Sequence, residues 1–311
     1  AFEFIEFLID NYSLKCLFIG YDHRFGHNRS EGFDDYAKYG KILGIDVLQA
    51  KMYMPGEKHI NVSSSVIRKL INEGNVSSDN YYTGGITGQI GWYSDSTKRK
   101  GTISNCINKG IVTSTSISTG GISGAIVNES VVANSQNYGN ISNTGKISDD
   151  FAICGGIAGQ LSLYGNNTIK NCINKGEIKA EYNKYGGIVG WAQKGNVSDC
   201  KNEGKVIGSR AHVGGIAGAI GRSDDSHKSS CILERCINIG NIEVTGIGTS
   251  SYGAGGITGC IFYNSQINYC VNNGNVTTNG YASSSDKSSY IGGICGNGIS
   301  RNESKAFFGN Y

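Results

Sequence analysis

The sequence predicts a mixed chain: a partial α/β unit over residues 1–76, followed by an all-β parallel β-helix, or solenoid, over residues 77–311. Two observations predict the solenoid. Gly-Gly-Ile-x-Gly recurs seven times, starting at Gly84, Gly120, Gly155, Gly186, Gly214, Gly255 and Gly292, with successive starts 36, 35, 31, 28, 41 and 37 residues apart, a period in the range of stacked repeat folds. Between these motifs a second block, aliphatic-x-x-Cys-x-Asn-x-Gly-x-aliphatic, recurs six times. A third observation sets the first segment apart: it carries no Gly-Gly-Ile motif and alternates strand-like with helix-like stretches.

Leu14-Lys15-Cys16-Leu17-Phe18-Ile19 reads as a buried strand that stops at Gly20. The polar loop that follows, Tyr21 to Arg29, stands where open α/β sheets place their ligands. A helix is expected from about Phe33 to Leu43, then a strand from Ile45 to Leu48. Next, Ser63-Ser64-Ser65 would cap a second helix carrying Arg68 in its first turns. Free N–H groups, hydroxyls and a guanidinium at one helix start suit a phosphate. In that helix Val66, Ile67, Leu70 and Ile71 make one apolar face, and Gly74 is a left-handed stop. The same residues also fit the repeat, as Ile67/Leu70/Asn72/Gly74/Val76 with Leu in place of Cys, and Leu70 precedes Gly84 by the same 14 residues that separate Cys106 from Gly120. The helix is the expectation, because everything before it follows the α/β pattern.

In the repeats, the aliphatics and the small cysteine would point into a narrow core, while glycine permits positive φ or close backbone approach at corners. Asn-x-Gly marks a turn, and the asparagines of successive coils would stack and share amide hydrogen bonds. A propeller is the alternative architecture, but each block shows only two or three short strand patterns where a blade needs four. Insertions of varied length also suit loops on a solenoid. Gly-Gly-Ile-x-Gly lacks the Lys-Ser/Thr of a phosphate-cradling P-loop, so its glycines are structural. Five of the ten cysteines, Cys106, Cys172, Cys200, Cys236 and Cys270, occupy the repeat position, where Ser135 stands in one copy. The others are Cys16, Cys154, Cys231, Cys260 and Cys295. Adjacent-coil cysteines would lie about 4.8 Å apart, a span that a disulfide tolerates; free buried thiols are the expectation.

Hydrophobic residues make up 38% of the chain, enough for a packed core. After Pro55 there is no proline, as an uninterrupted ladder of strands requires. Residues 1–76 hold 9 Lys and Arg against 10 Asp and Glu, and the remainder holds 19 against 15; neither balance is that of a nucleic-acid binder. Lys98-Arg99-Lys100 reads as a solvated loop. No stretch is apolar and long enough to span a membrane. The opening carries acids where a secretory signal carries bases, so a truncated edge is expected there. Asp149-Asp150 and Asp224-Asp225-Ser226-His227 sit at different points of their repeats and read as solvated loops rather than a paired-carboxylate site, with a loosely held calcium at Asp224 and Asp225 as the alternative.

Gly20-Tyr21-Asp22-His23-Arg24-Phe25-Gly26, together with Val62-Ser63-Ser64-Ser65-Val66-Ile67-Arg68, resembles the FMN adenylyltransferase module of prokaryotic bifunctional riboflavin kinase/FAD synthetases, with its Gly-x-Asp-x-x-Phe-Gly and Ile-Ser-Ser-Thr-x-Ile-Arg motifs. The resemblance implies a Rossmann-like nucleotidyltransferase half that transfers AMP from ATP to FMN with Mg²⁺. By it, Ser64, Ser65 and Arg68 hold ATP phosphates, and Asp22, Arg24 and Phe25 shape the substrate pocket. The family's Gly-x-Phe-Asp-Gly-x-His-x-Gly-His loop and its kinase domain are not in these 311 residues, so this polypeptide is expected to be inactive, with a truncated or misjoined FAD synthetase as the alternative. From about residue 84 onward, segments such as Gly186-Gly187-Ile188-Val189-Gly190 followed by Cys200-Lys201-Asn202-Glu203-Gly204 resemble the GLUG-type repeats of bacterial surface proteins. That resemblance implies an extracellular stalk or adhesin with a surface or glycan ligand and no enzyme chemistry. The first segment, in contrast, implies a cytoplasmic origin.

Overall fold

The computed structural model describes residues 1–19, 31–49, 66–79, 81–94, 98–115, 117–145, 152–181, 183–209, 212–223, 228–245, 252–279, 289–299 and 307–308. Two units divide the chain, Ala1–Val62 and Ser63–Tyr311.

In the first unit, α1 (Phe2–Tyr12), β1 (Cys16–Ile19), α2 (Phe33–Leu43) and β2 (Asp46–Gln49) follow in order. The two strands pair in parallel from Cys16 opposite Asp46 to Ile19 opposite Gln49. Ile5 on α1, Ile19 on β1 and Tyr36 on α2 are buried together, with Ile9, Leu17, Leu43 and Val47 packed around them. Both helices close on a left-handed residue, Ser13 and Gly44. A carboxylate opens α2, where Gly32 N–H donates to Asp35 Oδ2 at 3.0 Å. Helix α2 and both strands fall where the sequence places them to within a residue or two. Helix α1 does not appear in the sequence reading, which took these residues only as an acidic opening.

The second unit is built from parallel sheets stacked coil on coil. Its first coil runs β3 (Val66–Arg68), β4 (Ile71–Asn72), β5 (Val76–Ser78), β6 (Tyr82–Gly84) and β7 (Thr87–Ile90). Each of these strands begins a sheet that continues through every later coil. The β3 sheet has eight strands, ending at Phe307–Phe308, and the other four have seven. All pairing within the five is parallel and joins equivalent strands of neighbouring coils, as a β-helix requires and a propeller blade does not. Five strands per coil replace the two or three read from sequence, because strands of two or three residues are too short to display an alternation.

Residues 66–76 correct the helix expected there. Val66, Ile67 and Arg68 pair with Thr102, Ile103 and Ser104, and Asn72 pairs with Asn108. Tertiary pairing overrides the local helical pattern, since Ile67 packs against the main core and Val76 against a second one. The division at Val62/Ser63 accordingly precedes the 76/77 boundary read from the motifs.

Two apolar columns fill the coils. In one, Ile67, Ile103, Val132, Ile169, Val197, Leu233 and Ile267 stack in register and meet the isoleucines of Gly-Gly-Ile and the repeat cysteines. Val76, Val112, Ile141, Ile178, Val206, Ile242 and Val276 form the other. Beside them runs a column of seven asparagines. Asn72, Asn108, Asn137, Asn174, Asn202 and Asn238 each donate from Nδ2 to Oδ1 of the next asparagine, ending at Asn272, at 2.8–2.9 Å. Each Nδ2 also reaches the carbonyl of the glycine two residues on, as Asn108 does to Gly110 at 2.8 Å.

Glycine answers a need for space at two points. A Cβ on Gly121 would lie 2.4 Å from the Asn137 side chain, and one on Gly110 would lie 1.9 Å from the Gly74 carbonyl oxygen. Neither residue has positive φ. The left-handed corner lies instead one residue before the repeat's cysteine position, which Leu70 and Ser135 fill in two coils, at Lys69, Asn105, Asn134, Asn171, Asp199, Arg235 and Tyr269, with φ between 50° and 57°. Asn and Asp take this conformation at low cost; Arg235 and Tyr269 hold it because the flanking ladders leave no alternative.

Candidate functional site

Of the six residues assigned roles by resemblance, Asp22, Arg24, Phe25, Ser64 and Ser65 lie outside the described residues. Arg68 is described. It ends strand β3 opposite Ser104, inside the second unit. Strand β1 ends at Ile19, three residues before Asp22 in the chain. The acidic pairs Asp149-Asp150 and Asp224-Asp225 also lie outside the described residues, and among the described residues no group of His, Cys, Asp or Glu is arranged to hold a metal ion.

The repeat cysteines are free thiols, as are the other five. Those of the column are buried and make weak contacts with carbonyls two residues back, as Cys172 Sγ does with Lys170 at 3.3 Å. Ser135 fills its place in the column with ordinary hydrogen bonds, accepting from Cys106 N–H at 3.1 Å and donating to Ala133 at 2.9 Å. Burial pushes the thiols of Cys154 and Cys231 far up, which keeps them protonated and poor as nucleophiles.

A cationic and aromatic cluster sits on neighbouring coils. Lys184 and His212 pair in register, two residues before the first glycine of their motifs. Lys184 is buried, its Nζ donating to Asn183 Oδ1 at 2.7 Å and lying 4.1 Å from the Trp191 ring centroid. Arg222 approaches the same ring at 5.5 Å, while Trp191 Nε1 donates to the Gly221 carbonyl at 2.8 Å. His212 packs edge-on against Phe262 at 5.9 Å, and its Nδ1 is sealed from solvent without a partner among the described residues. Burial, aided by the Lys184 charge, lowers its pKa to about 3. The imidazole is therefore neutral at ordinary pH, and Trp191 is covered by the protein's own cations. This cluster joins coils together and leaves little surface for a ligand. Sequence reading passed over it because Lys184 and His212 stand 28 residues apart; comparing the residues two places before each Gly-Gly-Ile would have aligned Lys184 with His212.

On the outer face of the β5 sheet, Ser77, Asp79, Thr113, Thr115, Ser142 and Thr144, with Ser78 and Ser114 beneath, line an open groove of about 550 Å³. It is walled by hydroxyls, with one carboxylate and no aromatic ring. Among the described residues no helix is long and apolar enough to cross a membrane.

Neither curated proteins nor solved structures yield a match to the chain. The FAD synthetase family model matches residues 1–66, so the first unit and the start of β3 are similar to that family and the stacked array lies beyond the match.

Proposed function

We propose that the chain is a structural and adhesive β-solenoid of the GLUG type that carries an FAD-synthetase-like segment without completing that segment's reaction. The observation that supports this reading is the unbroken register of five parallel sheets over more than two hundred residues. Such an array offers a long, rigid surface and has no need of a catalytic centre. In this reading the array works outside the cell, meeting a surface or glycan ligand, and the first segment is a Rossmann-like half derived from a cytoplasmic enzyme.

By its family likeness, that segment would hold ATP phosphates through Ser64, Ser65 and Arg68, shape an FMN pocket with Asp22, Arg24 and Phe25, and require Mg²⁺. Of these six residues Arg68 is the one described, and it lies on a strand, not at a helix start. Incubation of the purified chain with ATP, FMN and Mg²⁺ is expected to form no FAD above a protein-free control. Turnover above that control would favour the second reading, a truncated or misjoined FMN adenylyltransferase, which rests on the family match over residues 1–66. An uninterrupted DNA read across the codons for residues 60–90 separates a genuine fusion from a misjoined one.

A further inference from the structure

After β7 the chain leaves the array as an antiparallel hairpin, β8 (Trp92–Tyr93) and β9 (Lys98–Arg99), with Trp92 opposite Arg99 and Tyr93 opposite Lys98. Residues paired across two strands share a face, and successive residues take opposite faces. One face of the hairpin is used internally. The Tyr93 ring stacks on Tyr164 of the third coil, with centroids 4.2 Å apart and planes 12° from parallel, and Lys98 Nζ lies 5.3 Å from the Tyr93 centroid. That contact, two coils away along the array, holds the hairpin in place.

The opposite face presents Trp92, 55% exposed, beside the exposed Arg99, with exposed Lys100 next in the chain. Neither Arg99 nor Lys100 enters an ion pair among the described residues. The chain's other tryptophan, Trp191, is 8% exposed and covered by its own cations. Trp92 is thus the indole left open, with cations beside it that enter no ion pair among the described residues.

We propose that Trp92, Arg99 and Lys100 form a binding site for an acidic sugar, a uronate or sulfated residue of a surface polysaccharide. The site deepens the adhesive reading above and rests on it. An indole face takes the apolar C–H face of a pyranose ring, which buries flat area at low entropic cost. A guanidinium beside it donates two charge-assisted hydrogen bonds to a carboxylate or sulfate, and Lys100 adds a second positive charge at the rim. Nucleic acid fits less well: beyond residue 76 the chain carries 19 basic against 15 acidic residues, without the extended positive track that backbone binding uses.

The test titrates the full 311-residue chain calorimetrically with four probes: oligogalacturonate, its methyl ester, a sulfated galactan fragment and oligo-dT. Binding of either anionic sugar is expected, and the two arms tell carboxylate from sulfate. Trp92→Ala and Arg99→Gln should each weaken it about ten-fold or more, Trp92→Phe should retain part of it, and the thermal midpoint should not move because the substituted face is outside the core. For a carboxylate site, methyl esterification should weaken binding like Arg99→Gln. The inference is overturned if no anionic sugar binds, if neither substitution changes the affinity, or if oligo-dT binds as tightly through the same residues. Retention of the chain on neutral glycan surfaces alone would remove this site and leave the adhesive reading standing; failure on every glycan would remove both.

Discussion

His212 shows how one residue's chemistry is set by its place in the array. In the unfolded chain it titrates near the ordinary histidine value of about 6.5; in the fold, burial and Lys184 depress it to about 3. Between those values the unfolded chain binds the additional proton, so stability is full above the unfolded pKa and is lost as pH falls. Chemical denaturation across about pH 6 to 4 should show a loss near 1 kcal/mol per pH unit that His212→Phe removes. An unchanged slope in the variant would mean that the ring is not held neutral by this packing. The left-handed row from Lys69 to Tyr269 is a second residue-scale feature, legible in sequence only where Asn or Asp fills it.

At the scale of the element, the asparagine column ties each coil to the next. Asn174 accepts from Asn137 and donates to Asn202 and to the Gly176 carbonyl, with its side chain wholly buried. Removing it leaves amide groups on both neighbours without their partners, each costing about 1–3 kcal/mol. Asn174→Ala is therefore expected to destabilise the array by about 3 kcal/mol or more in equilibrium unfolding. A loss below about 1 kcal/mol would show that water replaces the amide at no cost. Ion pairs between coils contribute less. Arg235 makes two bonds to Asp199, at 2.6 and 3.0 Å, and holds its carboxyl below the usual range. Both groups stand well out in solvent, where such pairs contribute little.

For the whole molecule, the decisive point is where one unit stops and the other starts. Strands β3 and β4, with Val76, complete the first coil. A chain beginning at Ser63 should keep the thermal midpoint of the array, whereas one beginning at Ser77 should lose about 5 °C or more, because Ile103 and Asn108 would then lose their partners on one side. Equal midpoints for the two chains would return residues 63–76 to the first unit.

Much of this was legible in the sequence. The seven Gly-Gly-Ile motifs and the Cys-x-Asn-x-Gly block determined the stacked architecture, the asparagine column and the buried free thiols. A repeat whose every copy places the same small or apolar residue at the same point can satisfy that residue only against its own copies. The motifs of the first segment likewise determined its family likeness and three of its four regular elements. Only the tertiary structure decided the fate of residues 66–76, which fit both a helical pattern and the repeat and for which the helix is the expectation from sequence. Ile103, Asn108 and Val112 offer them a complete ladder, which outweighs a local propensity of a few tenths of a kcal/mol per residue. Tertiary structure also brought Tyr164 under Tyr93 and Lys184 beside His212. Proximity across coils depends on register, and insertions of unequal length hide register from a reading along the chain.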